Sequence, residues 1–240
     1  MTDADHTGQK IAQRGIIGGV KSRIPWVPLV ILSAALAIYF WRTGMNSRWP
    51  FIAGTLLLTL QLLVRTPFAQ RVSKIVVARD AADKSDLAIM YGVFLTMVVL
   101  PLLRLATPLL DALDYSLPWP FAIAGIALYL AGLWLFWRSH ADLGTQWSAS
   151  LQIGEQHKLV TEGVYARIRH PMYSAIWLMA LAQPLLFQNW IAGPPVLLAF
   201  GMLFVTRLPK EEAMMTETFG EDYAVYSRRS GALIPKLGKG

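Results

Sequence analysis

Ionisable and aromatic side chains are concentrated in residues 157–173, between two strongly apolar regions. This segment carries two imidazoles, two guanidiniums and two phenols, on His157, His170, Arg167, Arg169, Tyr165 and Tyr173. Pro171 opens the apolar run that follows, and proline suits the first turn of a helix, where its missing N–H would be unpaired anyway. We therefore predict that Arg169 and His170 lie at a helix entrance, where spare backbone donors and the helix dipole favour negatively charged ligand groups.

A second charged cluster, with Arg207, Glu211 and Glu212, follows the last apolar run. Carboxylates can neutralise a cationic ligand group, and an arginine can hold a carboxylate through two parallel hydrogen bonds. Because Arg207 and Glu211 are four residues apart, they can also form a simple ion pair on a helix surface. On spacing alone the ion pair is the more ordinary arrangement. Taken with the motifs described below, we predict that the two clusters are two walls of one site at a membrane face.

The composition is that of a membrane protein. The 240-residue chain is 55% hydrophobic and 15% charged, whereas soluble domains carry about 25% charged residues. Cysteine is absent, which excludes disulfides, thiolate nucleophiles and thiolate metal ligands, and we predict no metal site. The net charge of +7 fits basic loops beside a membrane better than nucleic-acid binding, because the sequence contains no basic and aromatic module.

Six apolar runs predict an all-α fold, a polytopic transmembrane helical bundle of about six spans. The runs cover residues 24–41, 49–64, 87–110, 119–137, 172–187 and 191–208. Gly193-Pro194-Pro195 marks a tight turn between the last two runs, which should form a helical hairpin. Gly125 and Gly132 in the fourth run would allow close helix contact. Residues 65–86 predict an interfacial amphipathic helix, with a solvated loop as the alternative.

The distribution of lysine and arginine orients the bundle. These residues are frequent before the first run, between the second and third runs, after the fourth run and in the C-terminal tail, and the 111–118 and 188–195 loops have none. By the positive-inside rule, both termini and both charged clusters face the cytoplasm. Arg42 and Arg48 are exceptions to this distribution.

Three parts of the chain follow from these predictions. Residues 1–23 form a cytoplasmic tail, residues 24–118 form N-terminal transmembrane helices, and residues 119–240 form a C-terminal core with the charged clusters and the hairpin. We expect an integral, multi-pass protein of the bacterial inner (plasma) membrane, with its site on the cytoplasmic side.

Several motifs occur together in this core. They are His157-Lys-Leu-Val160-Thr-Glu-Gly163-Val-Tyr165, then Arg169-His-Pro-Met-Tyr173, the hairpin, the pair Glu211-Glu212, and Phe219-Gly220-Glu-Asp-Tyr223. In this order the motifs resemble the isoprenylcysteine carboxyl methyltransferases and their bacterial relatives, including phospholipid methyltransferase-like proteins. The resemblance covers roughly residues 119–235, and the first three spans carry no matching motif.

The resemblance implies S-adenosyl-L-methionine as the methyl donor, held mainly by the segment before the hairpin. The implied cofactor-binding residues are Gln152, His157, Lys158, Leu159, Val160, Tyr165, His170, Pro171, Met172, Tyr173, Glu211 and Glu212. The implied catalytic residues are Arg207, which faces the methyl-accepting group, and Arg169. The imidazole of His170 would meet the donor's carboxylate, and the two glutamates would neutralise its cationic end.

The acceptor implied by the resemblance is a lipophilic, isoprenylcysteine-like carboxylate that enters from the membrane lipid. A carboxylate is already ionised and needs no general base. A membrane thiol or a lipid amine is an alternative acceptor, and it would require a base, for which His157 or Tyr173 is available. The sequence does not decide the acceptor or the oligomeric state.

Two alternatives lie outside this class of enzyme. Sterol-type reductases share a similar C-terminal helical layout and bind NADPH in the comparable region. A non-enzymatic membrane protein that kept the fold is the second alternative. The absence of Gly-x-Gly-x-x-Gly after a strand and of His-Glu-x-x-His argues against a soluble dinucleotide-binding enzyme and an intramembrane zinc protease.

Overall fold

A computed structural model describes residues 26–44, 48–72, 77–80, 84–144, 152–154 and 159–236. Within these residues the chain is almost entirely helical. The α-helices are α1 (Trp26–Thr43), α2 (Trp49–Val72), α3 (Lys84–Phe94), α4 (Leu100–Ala106), α5 (Trp119–Leu143), α6 (Pro171–Phe187) and α7 (Pro195–Arg229). A π-helical segment, Leu95–Val99, joins α3 to α4, so these two helices form one continuous rod.

Each predicted apolar run contains a helix, and among the described residues three helices are long and apolar enough to cross a membrane. These are Trp49–Phe68, Ser85–Ala106 and Trp119–Leu143. Leu29–Thr43 and Pro171–Phe187 are apolar but shorter. Large hydrophobic side chains such as Trp41 and Leu198 are exposed on the outside of the bundle, as expected for surfaces that meet lipid.

The centre of the bundle is the contact between α5 and α6, the most extensive helix–helix contact among the described residues. Gly125 and Gly132 of α5 lie against α6, and a Cβ atom at Gly132 would be 2.8 Å from the carbonyl oxygen of Ala175. The prediction of close helix contact at these glycines is therefore confirmed. The hairpin prediction is also confirmed, since a short turn after Phe187 leads into α7 at Pro195.

A short two-stranded sheet departs from the all-α prediction. Strand β1 (Val77–Asp80) pairs antiparallel with β2 (Gln152–Gly154), with an irregularity between Val77 and Arg79. The amphipathic helix predicted over residues 65–86 is wrong, because α2 continues to Val72 and β1 follows it. Strand β1 begins at the β-branched residue Val77, which favours extended backbone. Its pairing partner, β2, is too distant in sequence to be inferred from a local pattern.

The end of the bundle formed by the C-terminus of α1 and the N-terminus of α2 carries a network of ion pairs. Arg42 pairs with Asp111 at 2.7 Å, Arg104 makes a two-point ion pair with Asp114, and Arg48 lies 3.9 Å from Asp114. Arg42 and Arg48, the two exceptions to the predicted charge distribution, therefore each have an acidic partner. These ion pairs explain why two arginines can lie at the end of the bundle that has few basic residues.

Candidate active site

A cavity of about 650 Å3 opens at the opposite end of the bundle, a size in the range of small-molecule sites. Its walls come from α2, α3, the π-helical segment, α5, α6 and α7. Of the predicted site residues, those that line it are Leu159, Val160, Tyr165, Arg169, His170, Pro171, Met172, Tyr173, Arg207 and Glu211. The structure therefore brings together two segments that the sequence separates by an entire helical hairpin.

The remaining predicted residues have different positions. Glu212 is bound to His170 through its carboxylate, as described below. Gln152 is the first residue of β2. His157 and Lys158 lie outside the described residues.

The first wall of the cavity begins at His170, which occupies the N-cap position of α6, with Pro171 in the first turn as predicted. The Nε2 atom of His170 lies 2.6 Å from Oε1 of Glu212, and Arg169 Nε donates to the same oxygen at 3.0 Å. Nδ1 of His170 lies 3.5 Å from Oε2 of Glu211. These distances show that the two charged clusters lie together at this end of the bundle, as a shared site requires.

Burial and charge oppose each other at His170 and Glu212. Burial lowers the pKa of His170, but hydrogen bonds and charge interactions with Glu211 and Glu212 outweigh it, so its pKa lies above the ordinary value. Burial raises the pKa of Glu212, but His170 and Arg169 bring it down to about 2. The contact therefore favours the protonated form of His170 and the ionised form of Glu212.

Glu211 forms a second group of contacts that faces the cavity. Tyr173 donates its hydroxyl hydrogen to Oε1 of Glu211 at 2.7 Å, and Arg207 Nη2 lies 3.6 Å from the same oxygen. The side chain of Arg207 is only 9% exposed, and its Nε atom is buried without a hydrogen-bond partner among the described residues. Arg207 and Glu211 therefore form the ion pair that their spacing allows, but the buried Arg207 places it in the cavity wall and not on an open helix surface.

The inner part of the cavity is apolar. Helices α2 and α3 and the π-helical segment contribute Leu62, Leu87, Met90, Val93, Met97 and Val98. Gln61 lines the same region and accepts a hydrogen bond from Tyr129 at 2.5 Å. The first three apolar runs, which carry no family motif, therefore supply much of the surface available to a lipophilic ligand.

The loop before α6 is fixed by Asp142 at the end of α5. The backbone N–H of Val164 donates to Oδ2 of Asp142 at 2.9 Å. Gly163 has φ of +59°, and a Cβ atom there would lie 2.2 Å from the same oxygen. Glycine is required at this point by both backbone conformation and space, and the loop then presents Tyr165 to the cavity.

The C-terminal part of α7 supplies a wall that the sequence did not predict. Arg169 contacts both Glu212 and, at 3.2 Å, the carbonyl oxygen of Ser227. A straight helix would place these two positions about 22 Å apart. The chain instead changes direction at Gly220, where φ is +52°, so that residues 221–229 return to the site.

The returning segment is tied down by the backbone of the first wall. The N–H groups of Arg169 and His170 donate to the carbonyls of Gly231 and Ala232 at 2.7 and 2.9 Å. Tyr226 donates its hydroxyl hydrogen to the carbonyl of Tyr165 at 2.7 Å. Tyr223 and Tyr226 consequently line the cavity. Gly220 was the sequence signal for this reversal, although glycine alone does not specify its direction.

The fold and the cavity define an integral membrane protein with a small-molecule site at one end of its helical bundle. More particularly, residues 125–217 match the isoprenylcysteine carboxyl methyltransferase (ICMT) family, which is the family that the sequence motifs resemble. The family region contains both charged clusters and the hairpin between them. It excludes α1 to α4 and the segment after Gly220.

Curated relatives carry the same family name. The chain is 35% identical over 81 residues to protein-S-isoprenylcysteine O-methyltransferase B of Arabidopsis thaliana, covering 34% of this chain and 41% of the relative. It is 33% identical over 83 residues to the Schizosaccharomyces pombe enzyme, covering 35% of each. The Homo sapiens enzyme is 33% identical over 81 residues, covering 34% of this chain and 28% of the relative. The chain thus spans less than half the length of these relatives.

A solved structure extends the likeness to the whole bundle. The eukaryotic intramembrane Ras methyltransferase ICMT (isoprenylcysteine carboxyl methyltransferase) aligns with a TM-score of 0.54 and 21% identity, covering 88% of this chain and 76% of that chain. At this identity the likeness concerns the fold. It includes helices outside the family region, since it covers most of the present chain.

Proposed function

We propose that this protein transfers a methyl group from S-adenosylmethionine to the carboxylate of a lipophilic, isoprenylcysteine-like acceptor. The observation that supports it best is the junction of a charged pocket, around His170 and Glu211, with an apolar compartment in one cavity. A charged, water-soluble donor fits the first part and a lipophilic acceptor fits the second. The names of the relatives agree with this division.

The residues present fit the proposed donor. S-adenosylmethionine has a cationic ammonium and sulfonium, a carboxylate and an adenine ring. Glu211 and Glu212 offer carboxylates for the ammonium, the ring of Tyr173 offers a π-face for a cation, and protonated His170 offers positive charge for the carboxylate. When bound, the donor would supply an electrophilic methyl group.

Arg207 is the residue we assign to the acceptor. It lies one helical turn before Glu211, and its Nε hydrogen is buried without a protein partner among the described residues. A carboxylate acceptor can receive hydrogen bonds from the guanidinium in the two-point geometry that arginine favours. Met90, whose sulfur is 3.4 Å from Nη1 of Arg207, continues the apolar surface from this point.

Catalysis by these residues would consist mainly of positioning and charge stabilisation. A carboxylate acceptor is ionised at neutral pH, so no side chain needs to remove a proton from it. Arg207 would orient the acceptor oxygen, while Glu211 and Tyr173 would fix the donor opposite it. Arg169 is committed to Glu212 and to the carbonyls of Ser227 and Ser230, and we assign it a positioning role.

The proposed orientation has six spans, with both termini and the cavity on the cytoplasmic side. The apolar and basic segments of the sequence support it, and the ion pairs of Arg42 and Arg48 at the other end remove the main inconsistency. A soluble donor would then reach the polar mouth from the cytoplasm. The acceptor would enter from the lipid beside α3, where Leu87 and Tyr91 are exposed and also line the cavity.

The experiment that tests this function compares ligands on the purified chain in detergent or liposomes. We expect saturable binding of labelled S-adenosylmethionine, competition by S-adenosylhomocysteine, and methyl transfer to prenylcysteine analogues. Thiols and lipid amines in the same assay test the alternative acceptors. Binding of NADPH without binding of S-adenosylmethionine would favour a reductase, and failure to bind either would favour a non-enzymatic protein.

A further inference from the structure

Tyr223 has a buried hydroxyl group that the proposed mechanism does not use. Its side chain is 3% exposed and lines the cavity. The hydroxyl oxygen has no hydrogen-bond partner among the described residues. Buried polar groups are normally paired, so an unpaired donor that faces a cavity indicates a missing ligand group.

The residues around Tyr223 indicate which kind of ligand group its hydroxyl would bind. Glu212 and Arg169 lie close enough to its hydroxyl to influence it, but neither meets the distance and angle of a hydrogen bond to the hydroxyl oxygen. Burial and the neighbouring negative charge of Glu212 raise the pKa of Tyr223, so the phenol retains its proton and can donate it. The complementary ligand group is therefore a hydrogen-bond acceptor close to the two glutamates.

The amino-acid end of the proposed donor carries such an acceptor. Its ammonium and carboxylate are attached to one carbon atom, so an ammonium bound by Glu211 and Glu212 brings the carboxylate next to them. Three nitrogens of the nearby basic side chains are already engaged, although the charge of His170 still favours a carboxylate in this region. Nε and Nη1 of Arg169 donate to Glu212 and to backbone carbonyls, and Nε2 of His170 contacts Glu212.

We propose that the Tyr223 hydroxyl binds the α-carboxylate of S-adenosylmethionine, and that the reversal of α7 at Gly220 serves to bring it there. The inference rests on the proposed methyl-donor function. It assigns a binding role to the returning segment of α7, which otherwise only closes the cavity. The other unpaired donor facing the cavity, Nε of Arg207, is next to the apolar compartment and serves the acceptor.

The test compares Tyr223→Phe with the wild type by calorimetry, using S-adenosylmethionine and its decarboxylated analogue. The analogue keeps the ammonium, sulfonium and adenosine and lacks only the carboxylate. The wild type should prefer the carboxylated ligand by about tenfold or more, as expected for a hydrogen bond to a charged group. The preference should largely disappear in Tyr223→Phe.

Because both ligands are compared on the same variant, a change in ligand preference reports on the binding contact and not on the fold. The melting temperature of each variant checks that it is folded. Tyr115→Phe is the matched control, because the Tyr115 hydroxyl donates to Pro184 at the opposite end of the bundle. It should keep the wild-type preference. Equal binding of both ligands by the wild type, or an unchanged preference in Tyr223→Phe, would overturn the inference while leaving the methyl-donor function intact. A wild type that binds neither ligand would overturn both.

Discussion

His170 and Glu212 are 42 residues apart in the chain, yet Nε2 of the imidazole and Oε1 of the carboxylate are separated by 2.6 Å. The contact joins the start of α6 to the charged end of α7, and Arg169 shares the same carboxylate oxygen. It therefore holds the two walls of the cavity together before any ligand is present. The pH dependence of this contact can be predicted from the pKa shifts of His170 and Glu212.

We predict that this pair stabilises the fold most between about pH 4.5 and 6.5. The pKa of His170 is raised above its ordinary 6.5, so its contribution is complete below 6.5 and is lost as pH rises through the raised value. The pKa of Glu212 is lowered from 4.5 to about 2, so its contribution is complete above 4.5 and is lost as pH falls toward 2. Melting temperatures of wild type and His170→Gln, measured across pH, should differ most in this window.

Glu212→Gln is the companion variant for this measurement. It should reduce stability across the window as well, because it also removes the carboxylate that Arg169 binds. A difference between wild type and His170→Gln that grows from pH 6.5 upward would contradict the assignment of a raised pKa to His170.

Glu211→Gln should weaken binding of S-adenosylmethionine by about tenfold or more, because a neutral amide replaces the charge that we assign to the donor's cationic end. The amide is nearly the same size and can still accept the hydrogen bond from Tyr173. The fold should therefore be little affected. The binding constant from calorimetry and the melting temperature should be measured together, and unchanged affinity would contradict the role of Glu211.

Arg207→Lys separates acceptor binding from donor binding. Lysine keeps the positive charge but cannot hold a carboxylate through two parallel hydrogen bonds. We expect a fall of at least about tenfold in kcat/KM for a prenylcysteine carboxylate, with donor affinity changed by less than about threefold. Equal losses in donor binding and turnover would place Arg207 in the donor site instead.

Some features of this site could be predicted from local sequence properties, and others only from the resemblance to a family. The helix entrance at His170 follows from Pro171, and the apolar runs follow from composition, because both are local properties. The meeting of His170 with Glu211 came from the resemblance to a family, since no local pattern relates the two ends of the hairpin. The site thus depends on contact between the start of α6 and the charged part of α7, which a hydropathy pattern does not predict.

The parts that were missed depend on distant pairing. Strand β1 is formed against Gln152–Gly154, and its own residues also suit a helix face. Tyr223 reaches the cavity only because the chain reverses at Gly220, and a helical pattern in the tail does not show where it returns. Arg207 and Glu211 have the spacing of a surface ion pair, and the burial of Arg207 depends on the packing of α7 against α3.

Gly163→Ala should destabilise the loop before α6 and weaken donor binding. A non-glycine residue at positive φ costs about 1–3 kcal/mol, and here the new Cβ would also meet Asp142 at 2.2 Å. Displacing Asp142 would break its hydrogen bond to Val164. Gly144→Ala is the control, since Gly144 also has positive φ but a Cβ there would have nothing within 4 Å. Gly163→Ala should lower the melting temperature more, and equal effects would contradict the steric argument.

The pair Arg104–Asp114 should be a determinant of stability that leaves the ligand site unaffected. Both side chains are nearly buried, at 5% and 10% exposure, and removal of one partner of a buried ion pair costs up to about 3–5 kcal/mol. Asp111 still pairs with Arg104 at 2.7 Å, so the cost here should lie toward the lower end of that range. Asp114 also accepts a hydrogen bond from Asn189 at 2.7 Å, so it joins α4 to the turn before α7. Asp114→Asn should therefore lower the free energy of unfolding markedly.

Asp111→Asn is the matched control, because Asp111 pairs with the same arginine at 2.7 Å while its side chain is 43% exposed. Solvent screens an exposed pair, whose contribution is about 1 kcal/mol or less. Thermal unfolding in detergent should show a much smaller loss for Asp111→Asn than for Asp114→Asn. Calorimetry on the folded variants should give wild-type donor affinity for both, because the cavity is at the other end of the bundle. A selective loss of donor affinity in Asp114→Asn would show that the two ends are energetically coupled.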